Sequence, residues 1–191
     1  MSSPGWHFVG AEVRGAERIV EVVMGIEERV FGMQFWDRGV RMAHGNTDEL
    51  PAVAGAMHAW QSGVSIAPLV SAWPFLSSDG FAEAFERGEA EAIDYRWRSY
   101  HDNSPPAPQL TRLHPFIAQA LAEPRLRELL PYTSHWTLCF SRSAGYPYSN
   151  DCPVVEPLDD GRYRVRAADG RELGIADAAG SVALALTALP R

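Results

Sequence analysis

The chain contains no lysine; all 17 of its basic residues are arginine. That absence removes Schiff-base chemistry through a side chain, and with it attachment of pyridoxal phosphate. It removes the P-loop as well, whose phosphate-binding step needs a lysine. Cysteine is nearly as scarce: Cys139 and Cys152 are the two in the chain, and no CxxC spacing exists. Free thiols and a reducing, cytoplasmic compartment are therefore expected rather than a disulfide framework. No apolar run approaches the ~20 residues that cross a bilayer. The start, "MSSPGWHFVG", lacks the basic segment and apolar stretch of a secretory signal. Neither membrane contact nor export is expected.

Basic charge is also in short supply, the net charge being −7. A nucleic-acid binder shows a basic face that neutralises phosphates. The nearest thing to one is "RYRVR", where Arg162, Arg164 and Arg166 alternate with Tyr163 and Val165. Alternation of that kind is the solvent side of a strand, so nucleic acid is not an expected partner. HExxH, GxGxxG and GxSxG are missing too. His101–Asp102 forms the "HD" pair of metal phosphohydrolases without the flanking histidines that chemistry needs. His44 and His58 have no metal-ligand spacing. No metal and no cofactor is expected.

What is present suits a globular fold: 191 residues, 46% of them hydrophobic, enough to bury a core. The pattern predicts an α+β fold, with antiparallel sheet segments at both ends and a helical middle. Residues 18–24, 29–36 and 40–45 are rich in β-branched and aromatic residues, and "DRG" (37–39) marks a hairpin turn. "NTDE" (46–49) reads as a helix start capped by Asn46, followed by Val53, Met57 and Trp60 on one face and a stop near Gly63. A short apolar helix over 66–76 breaks at Pro74, and 78–93 is amphipathic. The polar, proline-rich "SYHDNSPPAPQ" (99–109) reads as a linker. Residues 114–131 read as two short helices, with Pro115 and Pro124 at first helical positions. Strands follow at 135–142, 153–158, 162–167 and 172–176, and Asp177 caps a last helix over 178–189. The whole is one domain, 1–191, with a ββα order at each end that allows two lobes, 1–98 and 110–191, joined by 99–109.

The densest chemistry lies in "PYTSHWTLCFSRSAGYPYSNDCP" (131–153), which holds His135, both cysteines and three tyrosines. Strand alternation places Trp136, Leu138 and Phe140 on a core face, with His135, Thr137, Cys139 and Ser141 opposite. That second row either floors a ligand pocket or packs as small β-formers, with His135 capping a backbone carbonyl. At ~3.3 Å per residue, His135 and Cys139 stand ~13 Å apart and cannot form a Cys–His pair. A partner for His135 must fold back from "GYPYSNDCP", where the aromatic–proline sequence around Pro147 favours a cis bond. On the pocket reading His135 is the acid–base group. Asp151 then fixes its tautomer and Tyr146 is a second proton donor. Arg142 holds a carboxylate or oxyanion, while Ser141, Thr137, Tyr148 and Cys139 line the substrate.

The steps Tyr132–Thr133–Ser134–His135, Phe140–Ser141–Arg142, Gly145–Tyr146–Pro147 and Asp151–Cys152–Pro153 carry a resemblance. So do "LGIADAAGSVALALTALP" (173–190) and the aromatic–proline pattern over 59–76. Together they resemble a family of small natural-product-biosynthesis proteins of high-GC bacteria that contain a domain of unknown function. The resemblance spans most of 45–190 and implies small-molecule secondary metabolism. The function expected is an ancillary, cofactor-free enzyme acting on a natural-product intermediate by acid–base cyclisation, dehydration, isomerisation or hydrolysis. The alternative is a non-catalytic small-molecule-binding, partner-subunit or self-resistance protein of such a pathway. The expected partner is a small biosynthetic intermediate, and a homodimer is compatible with either reading.

Overall fold

The computed structural model describes residues 8–25, 28–102 and 111–189. The fold is α+β, with one five-stranded antiparallel sheet toward each end of the chain and helices between them. It divides into two compact units, Met1–Arg87 and Gly88–Arg191.

The N-terminal unit is a meander of β1 (Phe8–Arg14), β2 (Arg18–Gly25), β3 (Phe31–Asp37) and β4 (Val40–Thr47), closed by the two-residue β5 (Leu76–Ser77). Arg38 and Gly39 make the β3–β4 turn with φ of 45° and 77°, the conformation an X–Gly hairpin turn supplies. Three helices, α1 (Leu50–Gln61), α2 (Ile66–Ala72) and α3 (Gly80–Arg87), complete the unit. Its core unites Val20, Met33, Phe35 and Met42 of the sheet with Val53, Trp60, Leu69 and Phe85 of the helices. Arg18 places its guanidinium 4.0 Å from the Trp60 ring centre. The same group donates to the Trp60 and Val64 carbonyls at 2.9 and 2.8 Å, closing the carboxyl end of α1. The helix start differs from the expected one. Asn46 pairs with Gly32 inside the sheet, so the cap position passes to Glu49, with Pro51 in the first turn.

The C-terminal unit begins with helices α4 (Glu89–Asp102), α5 (His114–Ala120) and α6 (Pro124–Arg127). The strands β6 (Leu130–Ser134), β7 (Thr137–Ser141), β8 (Val154–Pro157), β9 (Tyr163–Arg166) and β10 (Glu172–Ala176) follow in spatial sequence, and α7 (Ala178–Thr187) ends the unit. One sheet face is core: Leu138, Phe140, Val155, Tyr163 and Val165 are buried with Trp97, Phe116, Ile117 and Val182 from the helices. Phe140 lies between Trp97 and Phe116 at 6.1 and 6.5 Å between ring centres. The Tyr163 hydroxyl donates to the Arg112 carbonyl at 2.8 Å, and Trp97 Nε1 to that of Leu129 at 2.9 Å. Asp177 caps α7 as expected, accepting from the Gly180 N–H at 2.8 Å.

Three sequence expectations change here. Residues 78–93 form two helices rather than one, broken at Gly88, whose φ is 155°. Helix α4 runs through Asp102, so the linker read over 99–109 starts inside it; residues 103–109 lie outside the described set. The strand expected over 135–142 is instead the second arm of a hairpin. His135 and Trp136, with φ of 47° and 66°, form its two-residue turn, and β6, unforeseen, is the first arm. Trp136 is consequently 53% exposed rather than buried, while Leu138 and Phe140 are in the core as expected.

Candidate functional site

The face of the C-terminal sheet opposite the helices carries the chemistry. Cross-strand register lines up Tyr132, Cys139, Val154, Arg166 and Glu172 in one row. Ser141 sits one pleat away, paired with Leu130. The 142–153 segment folds back from the end of β7, and its anchor is Ser141. That side chain is fully buried. Its Oγ donates to the Ser143 carbonyl at 2.8 Å and accepts the N–H groups of Ser143 and Ser149 at 3.1 and 3.0 Å. Ser149 Oγ accepts the Arg142 N–H at 2.9 Å, and Glu89 on α4 accepts that of Ala144 at 2.6 Å. Each orphan N–H of the segment that finds a side-chain acceptor is one fewer reason for it to leave.

The anchored segment presents tyrosines. The Tyr148 ring lies 4.4 Å from that of Tyr132, and Tyr146 meets Tyr148 edge-on at 6.0 Å and 79°. Tyr146 is 72% exposed, and the Tyr146–Pro147 bond is cis, as the sequence suggested. Both thiols are free and buried, Cys139 directly across the hairpin from Tyr132. Burial pushes the Tyr132 phenol up to about 12, aided by its hydrogen bond with the neighbouring Cys139 thiol. Burial raises Cys139 and Cys152 as well, against opposing hydrogen bonds from Tyr132 and Ser149 respectively. A thiol or phenol raised this way stays protonated at neutrality and is a poor nucleophile or base. At the rim, Arg142 Nη2 meets Asp151 Oδ2 at 2.9 Å, both side chains about half exposed. Farther across the face, Glu156 accepts from Arg164 and Arg166 at 3.1 and 2.9 Å, and Arg164 also reaches Glu172 at 3.1 Å.

Of the residues expected to form a site, Cys139, Ser141, Arg142, Tyr146, Tyr148 and Asp151 come together on this face and its covering segment. Thr137, half-buried at the start of β7, contributes its carbonyl to the Cys139 thiol at 3.9 Å. His135 stands apart. It is exposed on the hairpin turn, its Nδ1 3.2 Å from the Ser134 hydroxyl. The five residues of β7, ~16 Å of strand, separate it from Arg142. The sequence reading missed Tyr132 as a lining residue and Ser149 and Glu89 as anchors. Recognising β6 would have put Tyr132 opposite Cys139; nothing local marks Glu89. Among the described residues no group of three or more His, Cys, Asp or Glu could hold a metal ion.

Residues 91–191 match a family of unknown function (DUF6193), and the chain belongs to that family. The matched region contains the whole tyrosine–thiol face. No curated protein matches the chain, and no solved structure does.

Proposed function

We propose that the C-terminal unit binds a small, ring-containing molecule against Tyr146 and Tyr148, and that this molecule is a natural-product intermediate. The observation that carries the reading is the ring series Tyr132–Tyr148–Tyr146, mounted on a segment anchored by Ser141 and ending in a largely exposed ring. A rigidly held aromatic ring offers stacking area at little entropic cost. The class of ligand rests on the resemblance of residues 131–153 to natural-product-biosynthesis proteins. Binding is favoured over acid–base catalysis because the groups nearest the rings, Tyr132, Cys139 and Cys152, hold their protons, and His135 lies at the other end of β7.

The test incubates the purified protein with small-molecule extract of its producing organism and identifies retained compounds by mass. The reading expects a compound recovered at unchanged mass, lost from Tyr146→Ala and Tyr148→Ala, and retained by His135→Gln. A change in compound mass that His135→Gln abolishes would replace it with the acid–base enzyme. Equal retention by the tyrosine variants would overturn the site.

A further inference from the structure

Arginine side chains on this unit differ in how much of their hydrogen-bonding capacity is used. Arg164 bonds Glu156 and Glu172, and Arg166 bonds Glu156. These two stand in a lattice with two carboxylates, and their charge is matched within it. Arg142 stands outside that lattice and, like Arg166, meets a single carboxylate. Its guanidinium has five N–H donors, and its side chain meets one carboxylate oxygen, Asp151 Oδ2, through Nη2 at 2.9 Å. The fork is therefore engaged at one prong, and the side chain is 49% exposed. Its root is nonetheless fixed, because the Arg142 N–H donates to Ser149 Oγ at 2.9 Å. Ser149 is the residue after Tyr148, so the cation and the ring series hang from one anchored segment. Asp151 Oδ1 in turn lies 3.6 Å from the Cys152 thiol.

From this arrangement we infer that the ligand of the tyrosine face is an anion, a ring-bearing carboxylate whose ring packs on Tyr146 and Tyr148 while its carboxylate takes the free N–H donors of Arg142. The inference rests on the binding reading above and names the ligand's chemistry. Guanidinium and carboxylate match geometrically, two parallel N–H···O bonds to two oxygens. Asp151 occupies one prong and holds the guanidinium in place, leaving the remaining donors for an incoming acid. A neutral ring gains only the stacking contribution. The Arg142 contact falls in the range of hydrogen bonds to charged groups, about ten- to a hundredfold in affinity.

The experiment uses 2-naphthoate and its neutral isostere 2-naphthalenemethanol as probes, titrated into the full chain and followed by ligand-observed NMR. Naphthoate should bind at least about tenfold more tightly than the alcohol, and its advantage should shrink as salt rises. Arg142→Gln should remove that advantage. Arg171→Gln, which deletes the same charge from the exposed β9–β10 turn, should keep it. Tyr146→Ala, at an exposed position that leaves the core intact, should weaken both probes. Equal binding of the two probes, or an advantage that survives in Arg142→Gln, overturns the anionic ligand while leaving the tyrosine site standing. Binding of neither probe, or binding indifferent to Tyr146→Ala, overturns the site itself.

Discussion

Tyr132 and Cys139 are direct partners across the β6–β7 hairpin, and the thiol beside the phenol helps burial hold the phenol's proton on. Burial disfavours the charged phenolate, and the neighbouring thiol adds to that cost. Tyr132 should therefore release its proton near pH 12, against an ordinary value of 10.0. In the unfolded chain the phenol ionises about two units earlier, so the unfolded state sheds its proton first. Stability from this group is intact below about pH 10 and falls as pH rises toward about 12. Tyr163 is also raised by burial and acts in the same direction. Ultraviolet titration and alkaline unfolding of Tyr132→Phe should show the highest-pH phenol missing and the fall in stability shallower, with the Tyr163 part remaining.

The same burial governs the thiols. Cys139 and Cys152 should resist a thiol-specific reagent at neutral pH and react together once the chain is unfolded in urea. Rapid labelling of either in the folded protein would show a thiolate at the surface and contradict the raised values.

Ser141 holds the covering segment. Ser141→Ala leaves the N–H groups of Ser143 and Ser149 without their acceptor. The cost expected is ~1–3 kcal/mol, read by urea unfolding. Limited proteolysis should cut within 142–153 sooner than in the parent protein.

Leu138 and Trp136 separate core from turn within three residues. Leu138→Ala should cost ~2–5 kcal/mol because the site is fully buried. Trp136→Ala should stay within ~0.5 kcal/mol, as an exposed turn side chain does.

In the N-terminal unit, a Cβ on Gly45 would stand 2.1 Å from the Phe75 carbonyl oxygen. Backbone cannot give way as a side-chain tip can. Gly45→Ala should cost ~1–3 kcal/mol, or displace β5 from β4, and thermal unfolding beside a Gly55→Ala control, whose Cβ comes no nearer than 3.4 Å, to the Trp73 ring, should show the difference.

Much of this architecture is legible in the sequence. The Arg38–Gly39 turn, the Asp177 cap, the prolines opening α5 and α6 and the alternation of Arg164 and Arg166 with Tyr163 and Val165 are local signals, and each has a local cause. The β6–β7 hairpin is not legible in the same way. "TSHWT" contains none of the glycine, asparagine or aspartate residues that mark a two-residue turn, so it reads as continuous strand. One misread turn moved Trp136 out of the core and left Tyr132 without its partner. Gly88 was likewise hidden inside a continuous amphipathic pattern.

The sequence by itself determined the α+β class, the buried faces of β7 and β9, the absence of lysine chemistry and the concentration of reactive groups in 131–153. Those follow from residue type and short-range periodicity, which are properties of neighbours in the chain. Which of those groups meet was decided only by the tertiary structure. His135 and Asp151 are sixteen positions apart, and Glu89 and Ala144 are fifty-five; the first pair stays separate and the second is bonded. Register across strands and the path of the 142–153 segment settle such pairings, because both depend on how backbone donors far apart in sequence find acceptors once the core has formed.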